Sequence, residues 1–242
     1  MYSSPTKKTE QEKNHVALNP KAIFFDMDGV LYDSMGNHVK SWVRTMQDIG
    51  LPFNEHDCYM NEGRTGHSTI NNMALKVWGR EATEEEKKAI YQRKVEYFTK
   101  FGGAKPMPFA KELLQKVKAE GRQIFVVTGS GQPTLLDGLE NNFPQIFEQN
   151  RMITAYDVKH GKPSPEPYLM ALKKSGVQAN EVVVIENAPL GVQSAHAAGL
   201  FCISVNTGPL DPVVLYDAGA DIVLDSIEEL YNRWEEMFQV NE

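Results

Sequence analysis

Five short apolar runs punctuate the chain: AIFF at 22–25, IFVV at 124–127, VVVI at 182–185, FCISV at 201–205 and IVL at 222–224. None alternates apolar with polar residues, the pattern of parallel strands covered on both faces. Amphipathic stretches lie between and after them: FAKELLQKVKAEG (109–121), EPYLMALKKSG (166–176), PLGVQSAHAAG (189–199) and SIEELYNRWEEMF (226–238). Three of these end in glycine, as helix C-termini often do. From residue 106 onward the rhythm is strand–helix–strand, which predicts a doubly wound α/β sheet of Rossmann type.

Residues 35–105 break that rhythm. NHVKSWVRTMQDIG, STINNMALKVWG and TEEEKKAIYQRKVEYFTKF read as helices, the last opened by a Thr83–Glu86 capping box. GGAKPMP (102–108) returns the chain through flexible glycines and stiff prolines. The expected organisation is a flexible tail over 1–19, an α/β core from 20–34 and 106–242, and an inserted α-helical cap over 35–105. Trp42, Met46, Met73, Leu75 and Trp78 are expected to form the cap's own core.

Composition narrows the classes. The 242 residues are 41% hydrophobic, enough for a sizeable core, and carry a formal charge of −7. The acidic balance argues against a nucleic-acid partner. No apolar stretch approaches the ~18 residues of a membrane span, and MYSSPTKKTEQEKNH lacks the apolar segment of a secretory signal. Cys58 and Cys202 lie far apart, with no zinc-type spacing, which fits a reducing compartment. The cytoplasm is the expected address, and a monomer or weak dimer the expected state.

Candidate chemistry gathers at four predicted strand ends. Asp26-Met27-Asp28-Gly29 follows the first strand. Residues two apart in extended chain face the same way, so Asp26 and Asp28 could share one ligand, and a hard divalent cation would offset their repulsion. A plain Asp/Gly turn would look the same. VVTGSG (126–131) offers the Thr128 hydroxyl and the small residues Gly129 and Ser130, whose backbone N–H groups could cradle a phosphate oxygen. In HGKPSPEPY (160–168), Lys162 is held in a rigid turn where it could neutralise a phosphate or an aspartate. Glu186 and Asn187 supply oxygen ligands after VVVI; a helix cap is the plainer role for Asn187. Carboxylate pair, hydroxyl, lysine, and carboxylate plus amide form the set needed for phosphoryl transfer through an aspartyl-phosphate.

In that order, Asp-x-Asp-Gly-Val-Leu-x-Asp-Ser, Thr-Gly-Ser, Lys-Pro-x-Pro and Glu-Asn-x-x-x-Gly-Val resemble the motifs of the haloacid dehalogenase superfamily, within it the β-phosphoglucomutase-like phosphatases with a small helical cap. The resemblance covers about residues 21–225. It implies Asp26 as nucleophile and magnesium ligand, Asp28 as general acid/base with its carbonyl on magnesium, Thr128 on the phosphoryl group, Lys162 on the charge of both, and Glu186 with Asn187 completing the metal site. The cofactor implied is Mg2+, the substrate a small soluble phosphate compound.

Two departures stand out. Glu186-Asn187 replaces the usual Glu-Asp. The cap stretch Glu62-Gly63-Arg64-Thr65-Gly66 stands where the family's mutases carry Lys-Gly-x-Ser-Arg. An acid for the lysine and a glycine for the arginine weaken a mutase reading. Glu-Gly-Arg-Thr-Gly with Glu-Asn-Ala-Pro instead resembles the family's inorganic pyrophosphatases. Pyrophosphate is therefore the expected substrate, with Glu62 reaching the metal and His38, Arg64 and Lys94 binding substrate. A β-phosphoglucomutase-type transferase, a sugar-phosphate phosphatase and an inactive phosphate-binding module are the alternatives.

Overall fold

The computed structural model describes residues 19–238; the expected tail, Asn19 apart, lies outside them. Five parallel strands coincide closely with the apolar runs: β1 (Ala22–Phe25), β4 (Gln123–Val127), β6 (Val182–Glu186), β7 (Phe201–Val205) and β8 (Ile222–Leu224). The two-residue β5 (Met152–Ile153) has no such run and adds the far edge, giving the order β5-β4-β1-β6-β7-β8. Successive side chains point to opposite faces. Ile23, Phe25, Val126, Ile185 and Val205 therefore enter one core, and Ala22, Phe24, Phe125, Val127 and Val184 the other. Ala110–Ala119 covers the first face through Leu113, Leu114 and Val117, while Glu166–Ser175 and Pro189–Ala197 cover the second. The stretch 226–238 is not one helix. It breaks at Arg233 into Ile227–Asn232 and Trp234–Met237, and Trp234 turns wholly inward, its Nε1 donating to Glu120 at 2.8 Å.

The chain leaves β1 on one side and returns to β6 on the other, so β1 sits at the switch point where such sheets build sites. Register does the rest: Phe25 is level with Val126 and with Ile185. The next residue of each strand, Asp26, Val127 and Glu186, therefore emerges side by side.

Between β2 (Tyr32–Asp33) and its antiparallel partner β3 (Lys105–Pro106) lie four helices: α1 (Met35–Asp48), α2 (Glu55–Met60), α3 (Gly66–Trp78) and α4 (Glu84–Lys100). They share an apolar cluster of Trp42, Met46, Ile70, Met73 and Ile90, with Trp78 packed at its edge. Leu75 does not join it and is 47% exposed; two residues beyond Met73, it falls on the opposite side of the helix. The Thr83–Glu86 capping box opens α4. α2 has little apolar pattern and is fixed at its start by a second box, Asn54 with Asp57.

The helical segment rests on the strand-end loops through two glycines, neither with positive φ. A Cβ at Gly129 would overlap the Gly63 carbonyl oxygen, and one at Gly161 would come to 2.5 Å of the Thr65 methyl. Their side chains are missing because the segment's backbone occupies the space. Gly129→Ala is expected to cost the seated arrangement about 1–3 kcal/mol without unfolding the sheet. Unchanged circular dichroism, a larger radius of gyration and faster proteolysis at Gly102–Gly103 would show it; wild-type scattering and cleavage would contradict it.

Candidate active site

Asp26 directly follows β1 and is 2% exposed. Lys162, from the loop before Glu166–Ser175, donates through Nζ to Asp26 Oδ1 (2.6 Å), Glu186 Oε1 (2.5 Å) and the Val127 carbonyl (2.9 Å). All three ammonium protons are thus used. The Lys162–Pro163 peptide is cis. Burial works against the Lys162 cation, but the two carboxylates more than offset it and hold its pKa above the ordinary lysine value. Glu186 is saturated: Tyr168 Oη donates to Oε1 at 2.7 Å, and the Asn187 and Ala188 N–H groups donate to Oε2. It acts here as the anchor of Lys162. Asp26 Oδ2 has no hydrogen bond among the described residues, and Asp26 lines the cavity.

Asp28 follows on the same loop. Its Oδ1 accepts from Ser34 Oγ (2.5 Å) and lies 2.8 Å from His38 Nε2. Lys94 Nζ sits 2.8 Å from His38 Nδ1 and donates to Gln132 Oε1 at 3.3 Å. An ammonium can only donate, so Nδ1 accepts and His38 carries its proton on Nε2, facing Asp28. Burial would raise the Asp28 carboxyl, yet His38, Ser34 and Lys94 together hold it at about 2. Burial lowers Lys94 to about 8 and, with the Lys94 charge, lowers His38. α1 and α4 bury both side chains.

A cavity of about 50 Å³ is lined by Asp26, Asp28, Thr128, Gly129 and Ser130 from the sheet side, and from the inserted segment by His38, Tyr91 and Lys94 on α1 and α4 and by Glu62 and Arg64 in the α2–α3 loop. Thr128 Oγ1 accepts the Ser130 N–H at 3.0 Å, curling the loop into a nest. Glu62, 7% exposed, accepts from Asn187 Nδ2 at 2.6 Å. Burial, then the Asp26, Asp28 and Glu186 charges, push its pKa well up. Burial likewise raises Asp26, to about 8, with Glu186 and Asp28 adding to it and Lys162 opposing. Arg64 touches Ser68 through Nη1, while its buried Nε has no partner among the described residues.

Of the residues expected from the sequence, Asp26, Asp28, His38, Glu62, Arg64, Lys94, Thr128, Gly129 and Ser130 line one cavity, while Lys162, Glu186 and Asn187 stand behind it, bonded to Asp26 and Glu62 or to each other. Sequence reasoning passed over Ser34, Gln132 and Tyr168, which orient Asp28, Lys94 and Glu186. Ser34 and Tyr168 stood inside the quoted motifs. Gln132 gave no signal.

The donors fit a divalent cation. Four buried carboxylates, Asp26, Asp28, Glu62 and Glu186, meet two buried ammoniums, Lys94 and Lys162. Asn187 Oδ1 is buried with no hydrogen-bond partner, an acceptor that a cation would satisfy. No group of three or more His, Cys, Asp and Glu side chains converges as a metal cluster among the described residues; the candidate set is mixed, with the Asn187 amide oxygen beside the carboxylates.

Comparison with known proteins finds relatives over most of the chain. The profile of the haloacid dehalogenase-like hydrolases matches residues 23–205. A phosphorylated carbohydrates phosphatase of Thermotoga maritima is 30% identical over 220 residues, 88% of this chain and 97% of its own. The β-phosphoglucomutase of Bacillus subtilis is 26% identical, covering 89% and 96%. A solved β-phosphoglucomutase candidate from Bacteroides vulgatus is 54% identical with a TM-score of 0.88, covering 92% and 90%. The chain therefore belongs to the haloacid dehalogenase-like hydrolases and is a β-phosphoglucomutase-like enzyme of that family.

Proposed function

We propose that the chain is a magnesium-dependent phosphohydrolase that works through an aspartyl-phosphate on small phosphorylated compounds, with sugar phosphates as the leading class. The observation that carries the reaction is Asp26: one carboxylate oxygen is fixed by Lys162 and the residue faces the cavity. The relatives support the substrate class, being a carbohydrate-phosphate phosphatase and β-phosphoglucomutases rather than the pyrophosphatase expected from the cap sequence.

Asp26 attacks phosphorus as the bond to the leaving oxygen breaks. The Thr128 hydroxyl and the loop N–H groups hold the phosphoryl oxygens. Asp28 gives its proton to the leaving oxygen, then takes one from the water that frees phosphate and restores Asp26. A bound magnesium, held by Asp26, the Asp28 carbonyl and Asn187 with Glu62 beside it, would neutralise charge between the two anions that must meet. Ionised Asp28 matches the second half-reaction. For an alcohol leaving group it must first gain a proton, which an entering phosphate dianion favours by raising its pKa. The helical segment is the cap that closes over the substrate.

One observation favours pyrophosphate as a second reading. Asp28, held ionised by Ser34 and His38, suits a leaving group that departs as an anion. The acidic Glu62 and the absence of an arginine at Gly66 speak against a mutase.

A phosphate-release screen with magnesium over hexose phosphates, nucleotides and pyrophosphate decides among these. Sugar phosphates should turn over best; dominant pyrophosphate hydrolysis would install the second reading, and a sugar bisphosphate intermediate would mark a mutase. Asp26→Asn should lower turnover at least about 10³-fold, and full retention of activity would end the nucleophile assignment. Glu62→Gln should raise the magnesium concentration needed for half-maximal rate; an unchanged requirement removes Glu62 from the metal's surroundings. Lys94 loses its charge as pH rises through about 8, while Asp26 without a cation would ionise over the same range; with saturating magnesium holding Asp26 ionised, kcat/KM should fall above that pH. A profile flat to pH 9.5 in wild type would contradict a substrate role for this ammonium.

A further inference from the structure

α4 presents two side chains to the cavity one turn apart, Lys94 and Tyr91. Only the first is charged, and only the first is expected from the sequence. Tyr91 is held unusually firmly for a residue on a cavity wall. Its ring packs on Trp42 at 6.2 Å and edge-on to His67 at 6.0 Å. A Cβ at Gly66 would overlap that ring, so the absence of a side chain there is what admits it.

The hydroxyl is fixed as an acceptor. Gly131, at the end of the Thr128–Gly129–Ser130 nest, donates its N–H to Tyr91 Oη at 3.2 Å. A phenol oxygen that accepts still has one proton to give. No acceptor for that proton exists among the described residues, and burial pushes the phenol pKa up, so the proton stays on. Tyr91 lines the cavity, and its Oη keeps a proton to donate beside the loop whose N–H groups would cradle a phosphoryl group.

We propose that Tyr91 is a substrate-binding residue whose hydroxyl, anchored by the Gly131 N–H, donates a hydrogen bond to an oxygen of the bound phosphate compound. This rests on the phosphohydrolase reading and deepens it: the contact spans helical segment and sheet loop at once, so it is complete only when the segment is seated. Tyr156 supplies an internal control. Its Oη donates to the carbonyl of the same Gly131 at 2.9 Å, but its side chain is 72% exposed and lies outside the cavity lining.

Tyr91→Phe and Tyr156→Phe are compared with wild type in steady-state turnover of the best substrate, in inhibition by inorganic phosphate, and in calorimetric binding of inorganic phosphate with magnesium. Loss of a hydrogen bond to a charged oxygen should raise KM and both phosphate constants at least about tenfold in Tyr91→Phe, with kcat less affected and thermal midpoint unchanged. Tyr156→Phe should match wild type in all three. Wild-type phosphate binding by Tyr91→Phe would overturn the proposal. An equal weakening in both variants would also overturn it, placing the effect in the Gly131 loop. A wild type that binds phosphate but turns over nothing would sink the phosphohydrolase reading alone, since the calorimetric contrast still tests Tyr91.

Discussion

The structure depends on an imbalance of buried charge. Where β1 and β6 end, parallel register forces Asp26 and Glu186 to emerge side by side, and the turn after β1 adds Asp28. Lys162 answers two of these carboxylates with its whole donor capacity, and nothing is left over. Burial pushes Asp26 and Glu62 toward their neutral forms, so keeping both ionised calls for a partner that is not a side chain. Asn187 Oδ1, buried and unpaired, marks where that partner would sit.

The helical segment completes the site rather than merely covering it. It brings Glu62 against Asn187, His38 against Asp28, and Lys94 against His38. Position 187 carries an amide, and Glu62 brings a carboxyl against it from the other side, accepting from its Nδ2. In the proposed reading the metal site is then finished only on closure, which couples ion affinity to the seated segment and excludes water during transfer.

Much of this was legible in the sequence, for identifiable reasons. Strands buried on both faces announce themselves as continuous apolar runs, so five strands and their ends could be read, and with them the positions of Asp26, Thr128 and Glu186; Lys162 was legible only from its own Gly-Lys-Pro turn. β5 could not, because two residues carry no pattern. The break at Arg233 was hidden because tertiary burial of Trp234 overrides a continuous helical period. Burial of His38 and Lys94 was also invisible: both lie on amphipathic helices where a charged residue is ordinarily solvated, and only the packing of α1 against α4 turns them inward. Glu186 was visible as a residue but not as the fourfold hydrogen-bonded anchor it forms, since its partners come from three separate segments.

The central claim is that a divalent cation balances the carboxylates around Asp26, and thermal unfolding measures it without reference to any substrate. A ligand at a hundredfold excess over its Kd stabilises by about 2.7 kcal/mol. The account predicts that millimolar magnesium, compared with chelator at equal ionic strength, raises the midpoint of wild type and not of a variant lacking the Asn187 amide oxygen and the Asp26 carboxylate. Identical midpoints for wild type with magnesium and with chelator would contradict it.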